Sequence, residues 1–258
     1  REGARLGLHY MYRLIDLEKL GLGAAALPEL LTAAERMGFA GLNITFPCKQ
    51  SVIPLLSDLS GDARALGAVN TVLLREGKRI GHNTDWWGFA ESFRRGLPDV
   101  PRKKVVQLGA GGAGCAVAHA ALKLGTERLE LFDIEPGRAQ QLAAALAARF
   151  GAGRAVAGAS LDAAMAEADG LIHATPTGMA KHPGLPLPEA LLHPRLWVAE
   201  IVYFPLETEL LRVAKARGCR ILDGGGMAVF QAVEAFRLFT GITPDAERMR
   251  RHFESMGR

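Results

Sequence analysis

The stretch Val105-Val-Gln-Leu-Gly109-Ala-Gly111-Gly-Ala-Gly114 sets a β-rich apolar run directly before a G-x-G-x-x-G loop. Glycines so placed allow a tight turn and let the backbone approach a pyrophosphate. The helix that follows offers the phosphates its free amides and a partial positive charge. That helix is expected from Gly112 to Leu124, and a second strand ends in an acid, Leu129-Glu-Leu-Phe-Asp133. Strand, glycine loop, helix and acid at this spacing form a dinucleotide fingerprint. The cofactor-binding set is then Gly109, Gly111, Gly112, Ala113 and Gly114 with Asp133. A carboxylate at Asp133 can accept both hydroxyls of an NAD ribose and would repel the 2′-phosphate of NADP. Arg138, one turn into the next helix, pulls the other way, because a guanidinium can neutralise a phosphate. The balance favours NAD over NADP.

Three polar stretches interrupt otherwise apolar sequence nearer the N-terminus. They are Asn43-Ile-Thr45-Phe-Pro-Cys-Lys49, Gly67-Ala-Val-Asn70-Thr71 and Gly81-His-Asn83-Thr84-Asp85. Any one could be an ordinary loop. Together they supply a lysine, an aspartate and several amide or hydroxyl groups, the set needed to orient a polyhydroxylated acid. Removing hydride from an alcohol also requires a base, and a lysine beside a carboxylate can exchange that proton.

The elements that must position these groups fall into two patterns. From about Lys104 onward, apolar strands at Val105–Leu108, Leu129–Phe132, Leu171–Ala174, Trp197–Val202 and Ile221–Leu222 are separated by helical stretches, which predicts a parallel sheet covered on both faces. Before it, the spacing predicts a strand at Tyr12–Ile15, a helix at Leu27–Arg36, a strand at Gly41–Thr45 and a helix opened by Pro47 and running to about Leu56. A hairpin over Ala68–Leu74 and Lys78–Gly81 follows, then a helix over Trp86–Arg95 with Asp85 as its cap. Met227–Thr240 and Pro244–Met256 read as closing helices. The fold class is α/β with two lobes. An N-terminal α/β substrate-binding catalytic domain covers 1–86, and a Rossmann-type dinucleotide-binding domain covers 87–224. The C-terminal helices, 225–258, return to complete the first lobe.

Composition excludes several classes. At 49% hydrophobic and 22% charged residues the chain can bury a core and is neither disordered nor fibrous. It has no apolar run long enough to span a membrane and no visible secretion signal, so a cytoplasmic enzyme without a membrane partner is expected. Cys48, Cys115 and Cys219 form neither a disulfide framework nor a zinc pattern, and the seven histidines show no metal-ligand spacing; no metal is expected. The net charge of +4 is scattered, which suits anionic small molecules rather than nucleic acid.

The ordered motifs N-I-T-x-P-x-K at Asn43–Lys49, G-A-V-N-T at Gly67–Thr71, G-x-N-T-D at Gly81–Asp85, G-A-G-G-A-G at Gly109–Gly114 and A-T-P-x-G-M at Ala174–Met179 continue into Val202-Tyr-x-Pro-x-x-Thr208 and Gly226-Met-x-x-x-Gln231. With them the chain resembles the shikimate dehydrogenase family, and within it the NAD-using quinate/shikimate dehydrogenase branch. The resemblance implies roles residue by residue. Lys49 and Asp85 match a catalytic lysine–aspartate pair, with Lys49 taking the proton from the reacting hydroxyl. Thr45, Asn70 and Gln231 match ligands of substrate hydroxyls, and Tyr203 matches a tyrosine near the substrate. Thr175, Pro176, Ile201 and Gly224 match positions lining the nicotinamide half of the cofactor. The implied activity is reversible, NAD-dependent oxidation of quinate or shikimate by a monomer or homodimer. An NADP-dependent biosynthetic shikimate dehydrogenase and a non-catalytic ring-acid sensor of the same fold remain as alternatives.

Three departures from the family pattern stand out. The strand and serine-containing pair that grips the substrate carboxylate in family members is not found, so either a preceding segment is missing from the sequence or the carboxylate is held otherwise. His173 stands where an asparagine commonly precedes Ala-Thr-Pro, and reads as a strand-end histidine without a catalytic task. Glu200 replaces a common aspartate.

Overall fold

The structure is a computed structural model that describes residues 1–256. The chain divides into two compact units: Arg1–Thr84 with the chain from Ala232 onward, and Asp85–Gln231. The second boundary falls inside a continuous helix, so no change of composition could have marked it.

In the first unit, helices α1 (Glu2–Arg5) and α2 (Leu27–Arg36) precede strand β1 (Gly41–Asn43), and α3 (Cys48–Ser51), β2 (Asp58–Leu59) and α4 (Gly61–Leu66) precede β3 (Thr71–Arg75) and β4 (Lys78–His82). The four strands lie in the order β1-β3-β4-β2. β3 is antiparallel to β1 and β4, and β2 is parallel to β4. Leu27, Leu31 and Ala34 repeat at helical spacing along the buried face of α2. Leu27 and Leu31 join Ile44, Cys48, Val52, Ala63, Val69 and Val72 in the core beneath the sheet. Cys48 is thus a small core residue rather than a nucleophile.

Two expectations fail here. Tyr12–Ile15 forms no strand, and Met11, Tyr12 and Leu14 are exposed. β-propensity without a neighbouring ladder does not make a strand. The helix opened at Pro47 ends at Ser51 and gives way to a 3₁₀ turn over Ile53–Leu55. Pro54 lacks an amide hydrogen, and its ring would clash with the carbonyl four residues back.

The second unit opens with α5 (Asp85–Gly96), whose first helical residue is Asp85 itself rather than Trp86. It continues through β5 (Lys104–Leu108), α6 (Gly112–Lys123), β6 (Arg128–Phe132), α7 (Pro136–Phe150), β7 (Ala155–Ala157), α8 (Leu161–Ala166), β8 (Gly170–His173), β9 (Trp197–Glu200), α9 (Glu209–Ala216) and β10 (Arg220–Leu222). The six strands are all parallel, in the order β10-β9-β8-β5-β6-β7. Alternate residues serve opposite faces. Val105, Ile172, Trp197 and Ala199 pack with Phe89, Phe93 and Val117 on one side, while Val106, Leu171 and Val198 pack with Met165, Leu210 and Leu211 on the other. Helix α10 (Gly225–Thr240) carries the chain across the unit boundary, and α11 (Ala246–Met256) follows. Among the described residues no helix is long and apolar enough to cross a membrane.

Candidate active site

The three polar stretches of the first unit meet at one residue. Asn70 ends the loop before β3 and is 4% exposed. Its carbonyl accepts the Ile44 amide at 2.7 Å, its own amide donates to the His82 carbonyl at 3.0 Å, and its side-chain Oδ1 accepts the Thr84 amide at 2.7 Å. Its Nδ2 donates to Thr84 Oγ1 at 3.0 Å, and Thr71 Oγ1 donates to its Oδ1 at 3.1 Å. The amide of Val69 donates to the Lys49 carbonyl at 2.8 Å, and Asn83 Nδ2 donates to the Ala68 carbonyl at 3.1 Å. Loops carrying Thr45, Lys49 and Asn70 are therefore bonded into one assembly with the end of β4. Thr45 is exposed, Lys49 is half-buried on α3, and Asn70 spends much of its side chain holding the assembly together. Asn83 and Thr84, both buried, are structural members that the sequence did not separate from their motif.

Asp85, 8% exposed at the start of α5, and Gln231, half-buried on α10, belong to the second unit. So do Tyr203, which is 55% exposed, and the glycine loop.

The glycine loop lies where the strand order reverses between β5 and its neighbours β6 and β8. In open α/β sheets that is the crevice where ligands bind. Gly109 has φ +97°, a conformation side chains rarely adopt, and a Cβ there would lie 2.4 Å from the Ala174 carbonyl. A Cβ on Gly114 would lie 2.3 Å from the Gly109 carbonyl. The buried Gln107 fixes the turn from below, donating from Nε2 to the carbonyls of Gly109 at 2.8 Å and Gly114 at 2.9 Å. Gly111 and Gly112, by contrast, face open space, and α6 begins with no side-chain cap on its first amides. A roofless loop over uncapped amides fits a pyrophosphate.

Asp133, just past β6, accepts the Ala110 amide on Oδ2 at 2.7 Å and the Glu135 amide on Oδ1 at 2.9 Å. The carboxylate is held rigidly and retains further acceptor capacity for a ribose. Arg138 is exposed and pairs with Glu135 at 2.8 Å. Thr175 and Pro176 follow β8, and Ile201 follows β9, at the carboxyl ends of adjacent parallel strands. Gly224 is buried, and a Cβ there would lie 2.4 Å from the Val202 carbonyl.

Sequence reasoning missed one network. His173 and Glu200, register partners at the ends of β8 and β9, are 0% and 1% exposed. His173 Nδ1 lies 2.9 Å from both Glu200 oxygens, and His173 Nε2 lies 2.6 Å from Thr175 Oγ1. The signal was present as two ionisable residues replacing common ones, each at a strand end.

Fold and site together define a nicotinamide-dinucleotide oxidoreductase. The model of the shikimate dehydrogenase substrate binding domain matches residues 1–72, and that of the shikimate 5'-dehydrogenase C-terminal domain matches 224–252. Between them, residues 93–191 match the C-terminal domain of alanine dehydrogenase/PNT. The chain is 61% identical to the shikimate dehydrogenase (NADP(+)) of Streptomyces avermitilis, over 96% of this chain and 86% of that one. It is 49% identical to the quinate/shikimate dehydrogenase (NAD(+)) of Corynebacterium efficiens, over 99% of this chain and 91% of that one. The solved quinate dehydrogenase from Corynebacterium glutamicum in complex with NAD superposes with a TM-score of 0.93 at 46% identity, covering 98% of this chain and 91% of that one. The chain belongs to the shikimate dehydrogenase family.

Proposed function

We propose that the protein catalyses reversible, NAD-dependent oxidation of the ring hydroxyl of quinate or shikimate to the 3-dehydro acid. The observation that carries the choice of NAD is the Asp133 carboxylate. It is pinned by the Ala110 and Glu135 amides at the end of β6, while Arg138, on the helix that follows, is engaged with Glu135. A 2′-phosphate would meet a fixed anion and a partly neutralised guanidinium.

When bound, the dinucleotide supplies the hydride acceptor. Lys49 takes the hydroxyl proton as hydride departs and returns it in the reverse direction, and Asp85 is the second catalytic residue. Thr45, Asn70 and Gln231 orient the remaining ring hydroxyls, and Tyr203 borders the substrate. The glycine loop from Gly109 to Gly114 and the α6 amides bind the pyrophosphate. Thr175, Pro176, Ile201 and Gly224 line the nicotinamide half.

The NADP(+) label of the Streptomyces relative favours a second reading, an NADP-dependent shikimate dehydrogenase. Steady-state kinetics with both acids and both cofactors separates the two. A higher kcat/KM with NAD is expected, and a preference for NADP overturns the cofactor assignment. No turnover of either acid with either cofactor overturns the enzymatic reading as a whole and leaves the sensor.

A further inference from the structure

The pair His173–Glu200 is buried, ionisable and unused by the chemistry above. Burying such groups is costly unless every polar atom is satisfied, and an apolar pair would often serve stability as well. Here satisfaction is close to complete and has a direction. Glu200 Oε1 accepts the amides of Ile201 at 2.9 Å and Val202 at 3.0 Å, and Oε2 accepts the Thr208 hydroxyl at 3.1 Å. Thr208 Oγ1 in turn caps α9 by accepting the Leu211 amide at 3.3 Å. With three donors already on the carboxylate, the ring fits as the next donor through Nδ1–H, and Nε2 is left facing Thr175. Thr175 Oγ1 also accepts the Thr177 amide at 3.3 Å. One chain of hydrogen bonds, buried at the imidazole and the carboxylate, thus runs from the half-buried Thr175 hydroxyl to the backbone of Ile201 and Val202. It joins the loops after β8 and β9, and the loop after β8 touches the glycine loop through Ala174 and Gly109.

We infer that His173 is a positioning residue for the nicotinamide half of the cofactor site: through Glu200 it locks the Thr175 hydroxyl and the Ile201–Val202 backbone in one fixed arrangement. The inference rests on the proposed dinucleotide function. It assigns His173 no contact with substrate and no proton transfer.

The test is equilibrium binding by fluorescence, with NADH and NADPH compared against ADP-ribose and its 2′-phosphate. The latter two fill the adenosine half but carry no nicotinamide. The variants are His173→Asn, Thr175→Val and Thr175→Ser. In His173→Asn and Thr175→Val, affinity for the reduced dinucleotide should fall about 3- to 10-fold, the range expected for one lost hydrogen bond. Affinity for the nicotinamide-free ligand should be unchanged. Thr175→Ser, which keeps the hydroxyl, should bind like wild type, and the double variant His173→Asn/Thr175→Val should be no worse than the single ones. Equal losses for both ligands, or no loss for either, overturn the proposal. Because Thr175→Val leaves the buried pair intact, a His173→Asn protein that fails to fold does not remove the test. A wild-type protein that binds neither dinucleotide overturns the cofactor reading itself, a result distinct from failure of the His173 role.

Discussion

Gly88 on α5 lies against the backbone of α10 at Gln231. A Cβ on Gly88 would fall 2.7 Å from the Gln231 amide nitrogen and 2.7 Å from the Met227 carbonyl oxygen. Neither atom ends a flexible side chain, so the helices themselves would have to part. Gly226 repeats the contact from the other side, where a Cβ would meet Ser92 Oγ at 2.1 Å. Asp85 stands three residues before Gly88 on α5. The same helix crossing therefore sets the separation of Asp85 and Gln231.

Gly88→Ala should consequently damage both stability and the site. Overpacking costs about 1–3 kcal/mol, against which alanine's better helix propensity returns about 1 kcal/mol. Urea unfolding should show the net loss, and KM for the ring acid should rise more than KM for the dinucleotide. Gly137→Ala on α7, where a Cβ meets nothing within 4 Å, is the control and should be neutral or stabilising. A Gly88→Ala enzyme with unaltered substrate KM would show that this crossing does not position the site.

Lys49→Ala should lower kcat by roughly 10²–10⁴-fold, the usual contribution of a positioned acid–base group, with dinucleotide affinity near wild type. The Lys49 carbonyl, not its side chain, holds the Val69 amide, so the loop assembly should survive the substitution. Far-ultraviolet circular dichroism and dinucleotide titration check that point. Retention of most of the turnover removes the lysine from proton transfer.

Much of the dinucleotide unit was legible because its code is local. Strand, glycine turn, helix and terminal acid occupy one stretch from Val105 to Asp133, and the parallel sheet shows as apolar runs at regular intervals. The ring-acid loops were legible as polar interruptions, but not that Asn70 is their junction, since its partners Ile44, His82 and Thr84 come from other segments. The short elements β2, α4, β7 and α8 escaped because two to six residues carry too little periodicity to register. Ser60 and Ser160, which cap α4 and α8, and Gly67, which closes α4 in a left-handed conformation, were local marks. For the His173–Glu200 network the sequence showed two unusual residues but not their pairing. Each residue reads as an ordinary strand end until β8 and β9 are placed side by side.

His82, half-buried at the end of β4, provides a pH dependence. Burial pushes its pKa below the ordinary value of 6.5; Glu234 on α10 partly opposes this, and Arg237 on the same helix adds to it. The folded protein therefore binds the proton less readily than the unfolded chain. As pH falls below about 6.5 the unfolded chain takes up the proton first, so the stability contributed by neutral His82 is present above that pH and lost on acidification toward the lowered value. The urea midpoint of wild type should fall between pH 7.5 and pH 5, and His82→Gln should flatten that slope. Parallel profiles for the two proteins would assign the acid sensitivity elsewhere.

Asp133 should govern cofactor choice. Both of its oxygens already accept backbone amides, from Ala110 and Glu135. An asparagine there must turn its NH₂ toward one of those N–H donors, so Asp133→Asn removes charge and loosens the turn at once. NAD would lose a charge-assisted hydrogen bond of about 1.5–3 kcal/mol, equivalent to roughly 10- to 100-fold in affinity. NADP would lose that bond too but gain relief from repulsion at its 2′-phosphate, so the ratio of kcat/KM values should shift toward NADP without loss of all activity. Asp133→Ser together with an added arginine should shift it further, by supplying a planar cation that can grip the phosphate in two places. Arg138→Ala separates the remaining variable. If the carboxylate dominates, that change leaves the ratio nearly where it was, because the guanidinium is already paired with Glu135. If the ratio is unmoved in Asp133→Asn but moves in Arg138→Ala, then the arginine selects the cofactor and the preference for NAD fails with it.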